Sequence, residues 1–211
     1  MSEQFDNEPV PILPDRPEDG HKGTFGKVLI IGGSDGMSGA MCLSSVSALR
    51  SGSGLVTAAV PRSIQRIVAG YEPCVMTAGL ETDANGQLAA VERERIEELL
   101  AGKDAVAIGP GLGQCANAME LVSIVLEICH VPLVLDADAL NLAATGGLLE
   151  KRVKETACII TPHPGEFSRL TGQPVGDDDE TRIAAAVAFA RTHGITVVLK
   201  GPRTVVTNGT R

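Results

Sequence analysis

"KVLIIGGSDGMSGAMCLSSVSALRSGSGLVTAAV", residues 27 to 60, holds an apolar run, a glycine-rich break, an alanine- and serine-rich stretch and a second apolar run. Neither "KVLIIGG" nor "LVTAAV" alternates polar with apolar residues, so each reads as a strand covered on both faces. The stretch from Ser38 to Arg50 between them reads as a helix. Parallel strands need such a crossover, and the unit is therefore β-α-β.

Downstream the same grammar repeats. A short helix near Ile64 to Val68, "CVMTAG" (74 to 79), a charged helix over 89 to 102, "AVAIGPG" (105 to 111) and a helix from Ala116 to Cys129 follow one another. "PLVLDAD" (132 to 138), "ACIIT" (157 to 161), "GEFSRL", a helix over 180 to 194 and "TVVLKG" (196 to 201) complete the series. The fold class is α/β, a three-layer, mostly parallel sheet with helices on both faces. "RTVVTNGTR" reads as a strand, an Asn-Gly turn and two residues of a returning strand. Such a short arm leaves backbone groups unpaired, so the domain is expected to continue past Arg211 and to be C-terminally incomplete here. Residues 1–20, acidic and proline-rich, read as an extended arm, disordered or packed on a neighbouring subunit, ahead of one domain over 21–211.

Composition narrows the function. With 211 residues and 44% hydrophobic content the chain can bury one sizeable core. A net charge of -8 argues against nucleic-acid and anionic-membrane partners, which need a broad basic footprint. The five cysteines (Cys42, Cys74, Cys115, Cys129 and Cys158) are odd in number, lack C-x-x-C spacing and mostly lie within apolar stretches; they read as reduced core thiols of a cytoplasmic protein. The start has no basic-then-apolar signal pattern, and no apolar run approaches the ~18 residues of a membrane span. One Tyr, four Phe and no Trp leave the core to Ala, Val, Leu and Ile.

Candidate site residues cluster at the carboxyl ends of the strands, the edge where open α/β sheets bind ligands. In "TPHPGEF" (161 to 167), two prolines bias Thr161 and His163 to extended backbone, with Glu166 in the first turn of the following helix. His163 reads either as a ligand contact or as a turn histidine bonded to a carbonyl. "IGGSDGMSGA" and "IGPGLG" supply glycine loops where a ligand could approach the backbone and helix N-termini could meet an anion. Neither is G-x-G-x-x-G, and Gly26-Lys27 is no P-loop because a strand follows it. Asp138 reads as the N-cap of "ALNLAA"; the other reading puts Asp136 or Asp138 near a metal-bound phosphate. "GDDDET" (176 to 181) reads as a helix cap rather than a metal site. Lys200 and Arg203 in "LKGPRT" follow the last full strand and suit phosphate.

Taken in order and spacing, "HKGTFGKVLIIGGSDGMSGA", "AIGPGLGQ", "LVLDADALNL", "ITPHPGEFSRL" and "VVLKGPRTVV" resemble the ADP-dependent (S)-NAD(P)H-hydrate dehydratases, enzymes of ribokinase-like fold, over residues 14 to 211. The resemblance implies a hydro-lyase that uses ADP or ATP with Mg²⁺ to return hydrated NAD(P)H to NAD(P)H. It further implies hydrate binding at Ala40, Gly111, Gly113 and His163, and nucleotide binding at Lys200, Gly201, Pro202, Arg203 and Thr204. A homo-oligomer, such as a tetramer, is implied as well. The general base of the family is an aspartate in a Gly-x-Gly-Asp turn, which is expected beyond Arg211; the chain would then carry no catalytic residue of its own. The alternatives are a ribokinase-like vitamin-precursor kinase, against which "THPGE" counts, and a non-catalytic nucleotide-binding chain.

Overall fold

The β-α-β unit at residues 27–60 forms β1 (Lys27–Ile31), α1 (Ser38–Arg50) and β2 (Leu55–Pro61), with Ile30 beside Ala58 in a parallel pair. This computed structural model describes residues 15–84, 86–90, 92–176 and 178–210. The chain continues through α2 (Arg62–Tyr71), β3 (Val75–Leu80), α3 (Arg93–Leu100), β4 (Ala105–Ile108), α4 (Ala116–Ile128) and β5 (Leu133–Leu135). Then come α5 (Asp138–Gly146), β6 (Cys158–Ile160), α6 (Pro164–Thr171), α7 (Asp179–His193), β7 (Thr196–Leu199) and β8 (Val205–Thr207).

One eight-stranded sheet results, in the order β3-β2-β1-β4-β5-β6-β7-β8, parallel except for the last pair. The chain builds outward from β1 to β3, then jumps back to the other side of β1 and builds the opposite way. Because parallel crossovers are right-handed, reversing the direction of growth moves the helices to the other face. The buried residues obey this. Ile30, Val56, Ala58, Val60 and Val75 pack with Met41 and Cys42 of α1 and with Ile64 and Val68 of α2. Leu29, Ile31, Val106, Ile108, Leu133, Leu135, Ile160 and Val197 pack on the opposite face with α3 to α7. Strand register then puts Ala107, Val134, Ile159, Val198 and Val206 on the α1 face, where Ile159 and Val206 are exposed.

Two elements differ from the sequence reading. The helix expected over 89 to 102 is only Arg93–Leu100, because the Ala89 N–H bonds to Glu81 O and a Thr82–Leu88 bridge keeps the preceding chain extended. Val205–Thr207 is a strand as read, pairing antiparallel with β7 across the Lys200–Thr204 loop, but the returning strand expected after it is not formed. Thr210 forms no strand, and Arg211 lies outside the described residues. Asp178 caps α7 as read, accepting from Thr181 N at 2.8 Å. Residues 1–14 of the expected arm lie outside the described residues; in the rest, Arg16 stacks over the Phe25 ring of its own chain at 3.9 Å.

Candidate functional site

Five loops leave the carboxyl ends of the neighbouring strands β1, β4, β5, β6 and β7. Between β1 and β4 the direction of growth reverses, and at such a switch point diverging loops open a crevice. The loops interlock. Gly33 N donates to Pro110 O at 2.9 Å and Ser34 Oγ to Gly111 O at 2.8 Å, so the two glycine loops close on each other. Gly111 lies so near α1 that a Cβ there would come within 3.2 Å of the Ala40 Cβ. Two residues expected to bind one ligand are thereby neighbours. Gly113 N donates to Asp138 Oδ2 at 2.9 Å, which joins the same loop to the start of α5.

Asp136 and Asp138, two residues apart, serve opposite sides. Ala137 between them has φ 50° and ψ -118°, the one non-glycine positive φ among the described residues. Backbone outliers of this kind concentrate at ligand sites. Asp136 Oδ1 accepts from Thr161 Oγ1 at 2.7 Å and from Lys200 Nζ at 3.1 Å. Asp138 holds Gly113 and, through Oδ1, Gln114 Nε2 at 3.0 Å. It is not the expected N-cap: Ala137 has that position, and Asp138 is the first helical residue.

Each residue of "HPGE" has a mechanical reason. His163 is the N-cap of α6, and its Nδ1 accepts from Gly165 N at 3.0 Å and Glu166 N at 3.4 Å. Pro164 follows where a missing N–H costs nothing. Any Cβ on Gly165 would sit 2.9 Å from the His163 Cε1, so only glycine lets the imidazole lie there. Glu166 closes the capping box, its Oε2 accepting from His163 N at 2.8 Å. Phe167, wholly buried, meets Phe189 edge-on with ring centroids 5.3 Å apart. Burying such a ring contributes about 1.5–3 kcal/mol and pins α6 in place. The histidine therefore bonds backbone N–H groups, not a carbonyl, and its side chain remains 52% exposed.

Lys200 closes the edge. Its backbone N donates to Pro162 O at 2.8 Å, and its Nζ stands 3.1 Å from Asp136 Oδ1 and 3.9 Å from Glu166 Oε2. Behind the Lys200–Thr204 loop lies Arg182 of α7, only 6% exposed, within reach of the Lys200 carbonyl at 3.4 Å. A Cβ on Gly201 would come within 2.4 Å of its Nη2. Thr204 Oγ1 donates back to Gly201 O at 3.2 Å, and Pro202 is exposed. Arg203 is turned to Asp179, Nε to Oδ2 at 2.6 Å, rather than joined to the carboxylate cluster around Lys200.

Thus His163 and Lys200 share one cluster with Asp136, Thr161 and Glu166, while Ala40, Gly111 and Gly113 form a second group tied in through Asp138. Sequence reasoning missed Thr161 and the buried Arg182 and Glu166 as parts of the site. Only the capping-box spacing from His163 to Glu166 signalled any of them. A groove of about 440 Å³ between α4, the start of α3 and the 3-10 turn Leu148–Lys151, lined by Arg93, Ser123, Glu127 and Lys151, holds none of the expected site residues. Arg93 and Lys151 there both pair with Glu127.

Fold and loop arrangement define a ribokinase-like α/β protein. A ribokinase-like superfamily protein of Enterococcus faecalis superposes with a TM-score of 0.74 at 27% identity, over 91% of this chain and 63% of that one. Within that class the chain belongs to the NAD(P)H-hydrate dehydratase family, whose profile matches residues 28–211. The bifunctional NAD(P)H-hydrate repair enzyme Nnr of Moorella thermoacetica is 42% identical over 92% of this chain and 36% of its own length. An ADP/ATP-dependent NAD(P)H-hydrate dehydratase from Bacillus subtilis, co-crystallized with ATP/Mg²⁺, is 31% identical with a TM-score of 0.71, over 93% of this chain and 65% of that one. The chain thus spans about a third of the bifunctional relative.

Proposed function

We propose that this chain carries the ligand-binding loops of an ADP- or ATP-dependent (S)-NAD(P)H-hydrate dehydratase, a cofactor-repair hydro-lyase. The observation that carries the proposal is the joining of His163 and Lys200 through Glu166 at the carboxyl edge, beside the interlocked glycine loops. Ala40, Gly111, Gly113 and His163 meet the hydrate; Lys200, Gly201, Pro202, Arg203 and Thr204 meet the nucleotide phosphates. Phosphoryl transfer to the ring hydroxyl makes a leaving group, and loss of phosphate with a ring proton restores the nicotinamide double bond. Lys200 offers an ammonium where negative charge gathers. A general base is also required, and we assign it to the Gly-x-Gly-Asp aspartate of the family, a motif absent from residues 1–211. Asp136 is occupied by Lys200 and Thr161 and does not take that part.

Mg²⁺ fits this edge only as the companion of the nucleotide. Among the described residues no three His, Cys, Asp or Glu side chains converge on a metal position. Phosphate oxygens and waters commonly supply most Mg²⁺ ligands. Five free cysteines support a reducing, cytoplasmic setting, and among the described residues no helix is long and apolar enough to cross a membrane. A homo-oligomer remains part of the proposal. The family match favours dehydration over the vitamin-kinase alternative.

The test is calorimetric titration of the chain with ADP, ATP and prepared (S)-NADH hydrate, followed by spectroscopic detection of NADH once the Gly-x-Gly-Asp turn is joined to it. Binding of nucleotide and hydrate at separable sites is expected, with turnover in the longer chain. A chain that binds neither ligand at millimolar concentration contradicts the proposal.

A further inference from the structure

A ring nitrogen that accepts two backbone N–H bonds cannot also carry a proton. His163 Nδ1 accepts from Gly165 N at 3.0 Å and from Glu166 N at 3.4 Å, so the proton of the neutral imidazole is on Nε2. Glu166 makes the arrangement two-sided. Its carboxylate is only 5% exposed, and Oε2 accepts from His163 N at 2.8 Å, fixing the backbone from which the imidazole swings. Its other oxygen, Oε1, stands 3.4 Å from Nε2 without a hydrogen bond between them, so the Nε2–H is left to a ligand. The half-exposed His163 is thus held at Nδ1 and open at Nε2.

We propose that Glu166 is a positioning residue which, with the first amides of α6, fixes His163 as an Nε2–H donor, so that the ligand atom meeting His163 is a hydrogen-bond acceptor. An amide carbonyl or hydroxyl oxygen suits it; an N–H donor does not. This rests on the proposal that His163 contacts the hydrate. The same device recurs in the chain without any ligand role assigned to it. His21 caps the short 3-10 turn Lys22–Phe25, its Nδ1 accepts from Gly23 N at 3.1 Å, and its own backbone N donates to Thr24 Oγ1 at 3.3 Å. Imidazole capping is therefore a local property of His-x-Gly followed by Thr or Glu, separable from binding.

Two-bond proton–nitrogen correlation spectra of the nitrogen-labelled chain, with His163 assigned by loss of its signals in His163→Asn, read the tautomer directly. The Nε2–H tautomer is expected for the neutral ring and is expected to persist in Glu166→Gln, whose amide oxygen still accepts from His163 N. A proton on Nδ1 overturns the proposal whatever the ligand does. For the ligand half, His163→Asn keeps a capping acceptor but withdraws the donor from the Nε2 position, because its amide N–H ends nearer the backbone. It should hold the melting temperature within about 2 °C while weakening hydrate binding about three- to tenfold. Glu166→Ala should weaken hydrate binding in the native background and add nothing in His163→Asn, the non-additivity of a residue that acts through another. Additive losses show that Glu166 acts elsewhere and overturn the positioning role. Unchanged hydrate affinity in His163→Asn removes His163 from the hydrate site and defeats the functional assignment, while the spectra still decide the tautomer.

Discussion

Lys200 and Asp136, sixty-four positions apart in the sequence, meet Nζ to Oδ1 at 3.1 Å because β7 and β5 flank β6 in the sheet. Asp136 retains its Thr161 bond when the lysine is removed, and Lys200 is 44% exposed, so the pair contributes little to stability. Lys200→Ala should lower ADP or ATP affinity about tenfold or more and change hydrate affinity far less. Titration calorimetry with each ligand checks this, and equal losses for both count against a nucleotide role.

Gly109 and Gly113 share one loop but not one constraint. At Gly109 (φ 123°) a Cβ would lie 1.9 Å from the Asp136 carbonyl oxygen, whereas at Gly113 (φ 79°) nothing lies within 4 Å. Gly109→Ala should therefore separate β4 from β5 and cost more than about 3 kcal/mol or prevent folding. Gly113→Ala should cost only the left-handed backbone penalty of about 1–2 kcal/mol. Denaturant titrations of both variants settle the contrast, and a loss of hydrate affinity in Gly113→Ala beyond that cost marks direct contact.

How much of this was legible depends on whether the cause is local. Uninterrupted apolar runs such as Ala58–Val60 announce buried parallel strands because both faces are covered. The Asp178 cap was legible because its partner Thr181 is three residues away. The carboxylate of Asp138 was misread for the converse reason: Gly113, its partner, is twenty-five positions distant and comes near only through the β4–β5 pair. Burial of Arg182 had no sequence signal, since one arginine in a mixed helix looks solvated. The imidazole cap went unread although His163 and Glu166 stand at capping-box spacing, because histidine is not among the usual capping residues.

Burial pushes the Cys158 thiol up to about 11 from its ordinary value of 9.0, against a lesser opposing pull from Arg152, and burial raises Cys129 as well. A raised folded pKa means stability that is full below pH 9 and lost as pH climbs toward 11, because the unfolded chain releases the proton first. About 3 kcal/mol should be lost across that window on account of Cys158. Urea unfolding at stepped pH, compared with Cys158→Ala, isolates it: the variant should show a shallower decline. Identical slopes mean the thiol is not held protonated by the fold.

Ile159 and Ile160 are adjacent in β6 and point to opposite faces, one 37% exposed and the other wholly buried. The difference follows from handedness. Every crossover from β4 to β7 runs in one direction and lays its helix on the Ile160 side, while α1 and α2 cover the Ile159 side only over β1 to β3. Ile160→Ala removes a side chain packed among α4 to α7 and should cost about 2–5 kcal/mol. Ile159→Ala on the open side should cost under about 1 kcal/mol. Parallel chemical denaturation of the two variants in residues 1–211 measures the asymmetry. A loss at Ile159 as large as that at Ile160 means that its face of the sheet is covered in solution, and the one-sided packing of β4 to β7 must then be abandoned.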